Sequence, residues 1–171
     1  MQKILVFIGV AIILAFLSGG CIERYDYNDG CSRPIYLSYE KLRSNYPSIE
    51  KPREIKKAGK IYVYGNTLLI NEKGKGIHVV DNRVKETPVR KKFIEIPGNI
   101  DLAVKDGYLY VDSFIDLVIL DIRDINNIKV VNRKEEVFPY DAFQVLSQDE
   151  LNENRCYRSY DKDRGVVVGY K

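Results

Sequence analysis

The chain has 171 residues, 45% of them hydrophobic and 30% charged, with a formal net charge of +3. That length suits one domain, and that balance excludes an intrinsically disordered chain. Basic and acidic residues are interleaved rather than massed, which excludes the basic stripe a nucleic-acid partner needs.

Lys3 precedes an unbroken apolar run from Ile4 to Leu17, and no other charge occurs in the first 20 residues. The run matches a signal h-region in length and is short for a membrane-spanning helix. Leu17-Ser18-Gly19-Gly20-Cys21 follows. Small residues before a cut let the chain lie extended in a protease groove, and a cysteine just after it offers a thiol to diacylglycerol. The segment resembles the lipobox of bacterial lipoproteins, although Ser18 stands where that family prefers Leu and Leu17 lies one residue earlier. The resemblance implies a signal peptide over 1–20, acylation of Cys21 (palmitate or a similar chain), and a membrane partner reached through that lipid. Ile22 stands where the family's inner-membrane retention signal is Asp, which implies the outer membrane.

Residues 21–57 read as a lipidated tether and N-terminal arm. The part over 22–34 holds Asp26, Asn28, Asp29, Gly30, Ser32 and Pro34 and has little to bury. Tyr36 to Arg43 suits one or two helical turns capped by Ser38, and Pro47 and Pro52 forbid long regular structure beyond it. This stretch is expected to dock on the domain behind it.

Residues 58–171 read as a β-repeat domain. Ile61-Tyr62-Val63-Tyr64, Leu68-Leu69-Ile70, Ile77 to Asp81 and Phe93 to Ile96 are short β-rich runs separated by Gly65-Asn66, Lys73 to Gly76 and a polar loop, and stopped by Pro97-Gly98. Runs this short with turns this dense predict antiparallel sheet. The order recurs as Leu102-Ala103-Val104, Tyr108 to Val111, Leu117 to Asp121 and Val130-Val131. Asp81 and Asp121 are 40 residues apart, and Val63 and Val104 are 41 apart. A period of about forty residues with four short strands is the size of one propeller blade, giving repeats over about 58–98 and 99–140 and a C-terminal segment over 141–171. The third run of each repeat is expected to be buried on both faces, with its final aspartate accepting from N–H groups of the following turn. Val166-Val167-Val168, after a charged hairpin-type loop at Asp161 to Gly165, reads as the first strand of a third, incomplete blade.

Leu117-Val118-Ile119-Leu120-Asp121 differs at one residue from the motif that names the LVIVD-repeat bacterial proteins, and Ile77-His78-Val79-Val80-Asp81 is a looser copy. The segments from Pro34 through Tyr140 and from Gly165 to Tyr170 are also similar to members of that family. The resemblance implies β-propeller repeats on a lipoprotein and brings no catalytic residues. The fold class expected is therefore all-β, with two four-stranded propeller-type blades forming an incomplete propeller. Two blades fall short of the roughly four that closure needs, so sheet faces and edges stay open. A truncated gene product, assembly with copies or partners, and capping by the arm and C-terminal segment all fit.

Few residues invite chemistry. His78 is the only histidine and lies inside an apolar run, where a strand histidine with a local hydrogen bond is the expected role. Asp112, Asp116, Asp121 and Asp124 crowd one region but lack the spacing of a calcium loop, so they read as strand-end and turn aspartates, with no metal and no cofactor. Cys31 and Cys156 form a candidate disulfide, which an exported compartment permits. The function expected is a non-catalytic binding or scaffolding lipoprotein of the cell envelope, able to self-associate or to take a protein partner. The alternatives are a glycan-active or other envelope enzyme using carboxylates such as Asp112 and Asp116, and a remnant of a longer propeller protein.

Overall fold

Runs of β-branched and aromatic residues fold back on each other wherever Gly, Asn or Asp relaxes the backbone. The computed structural model describes residues 31–147, 150–151 and 156–171. The signal peptide, Cys21 and most of the expected tether lie outside the described residues. The described residues are mostly β-sheet, arranged as three antiparallel sheets, none closed. In chain order the elements are β1 (Pro34–Leu37), α1 (Tyr39–Asn45), β2 (Ser48–Glu50), β3 (Ala58–Tyr64), β4 (Thr67–Glu72), β5 (Gly76–Asp81), β6 (Val89–Glu95), β7 (Leu102–Lys105), β8 (Tyr108–Ser113), β9 (Asp116–Asp121), β10 (Lys129–Lys134), a 3-10 turn (Lys162–Arg164) and β11 (Val166–Tyr170). The sheets run β2-β6-β5-β4-β3, β10-β9-β8-β7 and β1-β11.

The meanders β3–β6 and β7–β10 repeat each other pair by pair. Tyr62 pairs with Leu69 and Leu69 with Val79, while Ala103 pairs with Tyr110 and Tyr110 with Ile119. Each has a bulge at the same place on its last strand, skipping Lys91 in one and Val131 in the other. Each also has the same turn lock. Asp81 Oδ1 accepts from the Arg83 N–H at 3.1 Å and Asp81 Oδ2 from Arg83 Nη2 at 2.6 Å, and Asp121 holds Arg123 at 3.0 and 2.5 Å. The β7–β8 hairpin turns at Asp106 and Gly107, both at positive φ (53° and 80°), the mirror-image turn that suits strand twist. A Cβ on Gly107 would stand 2.3 Å from Arg123 Cγ, so in this repeat a side chain there would push the arginine of the lock aside.

Alternation along the strands decides how the two sheets stack. Leu69, Ile77, Val79 and Ile94 of the first sheet pack in one cluster with Leu102, Leu109, Val111, Val118 and Leu120 of the second. These are opposite faces of the repeat: Leu69 corresponds to Tyr110, and Leu109 to Leu68. The sheets therefore stack in the same sense, one behind the other, rather than as mirror partners.

The arm and the C-terminal segment close this stack at one end. Ser38 caps α1, its hydroxyl accepting from Lys41 N–H at 3.3 Å. Leu42 is fully buried and packs with Phe114 and Val166. Arg43 Nε and Arg133 Nη1 both reach Asp116 Oδ2, at 3.1 and 2.9 Å, and Asp116 Oδ1 accepts from the Glu136 N–H at 3.0 Å. Burial pushes the Asp116 carboxyl up, but these donors outweigh it and hold it below the usual carboxylate range. From β2 on one edge of the first sheet to β3 on the other, residues 51–57 must cross that sheet. On the way Arg53 Cζ stands 3.5 Å from the centre of the Phe93 ring.

Several expectations need correcting. The tether does not extend to residue 34: Ser32 bridges to Tyr157 and Arg33 exchanges backbone hydrogen bonds with Lys171. β11 is not a blade's first strand but pairs antiparallel with β1, because Tyr36 and Leu37 offer it an apolar, unpaired edge. Asp161 to Gly165 is a 3-10 turn capped by Asp161 rather than a hairpin loop. β5 is buried on both faces, whereas β9 alternates between buried and half-buried residues, since residues 51–57 cover the first sheet and no comparable crossing among the described residues covers the second.

Asp116→Asn removes the charge that two arginines and a backbone N–H converge on. The expected cost is on the order of 3 kcal/mol, read as a lowered denaturation midpoint. Asp81 and Asp121 are held at about 2, chiefly by hydrogen bonds from Arg83 and Arg123, and Asp116 is also lowered. Depressed carboxylates stabilise the fold above their unfolded value of 3.8 and lose that contribution as pH falls through the folded value. Stability should therefore drop between pH 4 and about pH 2, and an Asp81→Asn, Asp121→Asn double variant should show a shallower drop. Equal slopes in a pH series of chemical denaturation would contradict these assignments.

Candidate functional site

The β1–β11 sheet carries more aromatic surface than its small core uses. β11 presents Tyr170, the turn after Tyr140 presents Phe143, and the segment leading from Cys156 presents Tyr157 and Tyr160. Phe143 stacks on Tyr170 with centroids 5.9 Å apart and planes 7° apart, and Tyr157 stands edge-on to Tyr170 at 4.9 Å. Tyr160 stacks on Tyr140 at 5.3 Å and meets Phe143 edge-on at 6.5 Å. Phe143 and Tyr160 remain 37% and 45% exposed, values large for aromatic rings already packed on neighbours.

Hydrogen bonds fix the cluster at its margins. Tyr140 OH donates to Gly165 O at 3.0 Å, Tyr157 OH to Glu150 O at 3.0 Å and Tyr170 OH to Ala142 O at 3.3 Å. Burial, with the nearby Tyr39 and Tyr36 hydroxyls, raises the Tyr140 phenol to about 12, and burial also raises Tyr170. Both stay protonated donors at any physiological pH. Cys31 and Cys156 are joined in a disulfide beside the cluster, with Cα atoms 4.6 Å apart. The bridge and the Ser32–Tyr157 pairing tie the start of the described chain to the aromatic face. Rigid rings with fixed polar edges suit a recognition surface, since large contact area comes at little cost in side-chain entropy.

The residues singled out in the sequence lie elsewhere and apart. His78 is fully buried on β5, with Nε2 2.6 Å from Glu72 Oε2, its ring against Phe93 and Nδ1 without a partner. Asp112 accepts from the backbone N–H groups of Ile100 and Asp101 at 3.0 and 2.9 Å and from Asn99 Nδ2, and burial raises its carboxyl above the usual range. Asp116 is closed off by its two arginines, Asp121 holds Arg123, and Asp124 accepts from the Asn126 N–H at 2.9 Å. Each carboxylate thus has its own local partners. Among the described residues no group of three or more His, Cys, Asp or Glu side chains converges as a metal site would require. Cys21 lies outside the described residues.

Sequence reasoning missed the aromatic cluster. Its members come from three separated stretches, and the one visible signal was tyrosine abundance, 13 residues, with the spacings Tyr140-x-x-Phe143 and Tyr157-x-x-Tyr160. Comparison with protein-family models, with curated proteins and with solved structures finds no match to this chain.

Proposed function

We propose that this chain is a lipid-anchored, non-catalytic binding or scaffolding protein of the cell envelope, held in the outer membrane through Cys21 and built on two LVIVD-type propeller blades. The anchor rests on the apolar run and the small residues that end at Cys21. The blade reading is supported by the two four-stranded meanders, which match in the register of their central pairs, in the bulge on the last strand and in the aspartate–arginine lock. A lock repeated in this way keeps the exit from the third strand constant from blade to blade, so function is left to surfaces outside the repeat.

The single observation that carries the binding reading is the partly exposed aromatic face formed by Phe143, Tyr157, Tyr160 and Tyr170 beside the Cys31–Cys156 bridge.

Two measurements test the proposal. Metabolic labelling with a fatty-acid analogue should mark the wild type and leave Cys21→Ser unlabelled; equal labelling of the two would overturn the anchor. Phe143→Ser with Tyr160→Ser should melt within a few degrees of wild type, since neither ring belongs to a buried core cluster, yet fail to complement a deletion strain. Full complementation by a stably expressed double variant would remove the aromatic face from the function.

A further inference from the structure

The two sheets of one chain show how a third would be received. The second sheet turns Leu102, Val104, Leu109, Val118 and Leu120 toward the first. By register, the same positions in the first sheet are Ile61, Val63, Leu68, His78 and Val80, on its outer face. Residues 51–57 cover the β4–β6 side of that face, with Arg53 over Phe93 and 3.5 Å from Glu72. They leave β3 bare: Ile61 is 56% and Val63 63% exposed, while Leu102, the counterpart of Ile61, is 5% exposed and Val104, the counterpart of Val63, is half-buried.

The other end of the stack is complementary. Tyr110, Leu117 and Ile119 occupy the positions of Leu69, Ile77 and Val79, which are fully buried in the internal interface. On the second sheet they lie half-buried on an open face. A groove of about 400 Å³ runs there, past Ala103, Tyr110, Leu117 and Phe138. Each outer face therefore keeps apolar side chains at positions that the internal interface buries.

From this we infer that the open face of the second sheet receives the β3 side of the first sheet of a second copy of this chain, head to tail, continuing the internal stack. The inference rests on the blade reading above. Polar contacts support the same geometry. Inside the chain Lys60 Nζ lies 2.5 Å from Asp101 Oδ1, and Tyr62 OH donates to Val104 O at 3.3 Å. Advancing both partners by one repeat places Asp101 of one copy beside Lys60 of the next, an opposite-charge pair again, and Ala103 beside Val63. Ala103 and Val63 are both exposed in the single chain. The contact is heterologous, so copies close into a ring when the rotation allows it, and two to four chains supply the roughly four to eight blades of a propeller.

Cysteine cross-linking of the full chain, extracted in mild detergent, tests this geometry. Val63→Cys and Ala103→Cys chains mixed and mildly oxidised should give a disulfide-linked dimer at least tenfold above either variant alone. Self-linking of Ala103→Cys alone would signal a two-fold pairing of open faces and overturn head-to-tail stacking. No dimer in the mixture, with monomers by sedimentation, would overturn association altogether. Ile61→Lys, at an exposed position, should leave the melt unchanged and weaken association at least tenfold; an unchanged sedimentation profile would count against the inference. Fatty-acid labelling run on the same samples separates the outcomes, because a failed cross-link with normal labelling removes the stacking and leaves the lipid anchor standing.

Discussion

The face of the first sheet that carries Leu69, Ile77 and Val79, pressed against the face of the second that carries Leu109, Val118 and Leu120, is the contact on which the rest of this molecule depends. A single four-stranded sheet leaves one apolar face to water, and each meander buries that face on the other. Removing such side chains from water contributes about 1.5–3 kcal/mol each, and only their joint burial offsets the chain entropy lost along eight short strands. Because the two sheets use opposite faces of one repeat, the same packing defines what the chain buries and what it leaves open.

Everything outside the repeat manages the ends of that stack. The segment crossing from β2 to β3 lays Arg53 over Phe93 and shields the buried His78–Glu72 pair beneath it. α1 brings Arg43 to Asp116, whose carboxylate sits where the first repeat has Gly76. A buried charge at the start of β9 is tolerable only because Arg43 and Arg133 arrive from two different elements. The β1–β11 pairing and the Cys31–Cys156 bridge then fasten both ends of the described chain to each other, which leaves the aromatic face rigid and turned outward.

What the sequence made legible follows from where each signal is local. Hairpin turns at Gly65-Asn66 and Asp106-Gly107, the short apolar runs and the recurrence near forty residues are encoded in neighbouring residues, and they specify both meanders and the all-β class. The capping role of Ser38 and the turn-holding role of Asp81 and Asp121 are local as well. Long-range pairings escaped. Nothing in Val166-Val167-Val168 distinguishes the first strand of a further repeat from a partner for Pro34 to Leu37, 129 residues earlier at the nearest pair, Leu37 and Val166. The aromatic face failed to appear for the same reason, being assembled from residues 140–143, 157–160 and 170 only after the ends meet. Asp116 read as an ordinary strand-end aspartate because its arginines lie 73 and 17 residues away.

If the interface between the sheets holds the domain together, the two sheets should open as one. Native-state hydrogen exchange on β5 and β9 in increasing denaturant measures this directly. The account predicts that the slowest amides of both strands, among them Val79 and Leu120, converge on a single opening free energy and respond equally to Leu109→Ala. Separate free energies for the two strands, with Leu109→Ala affecting β9 alone, would show two independently stable sheets and contradict it.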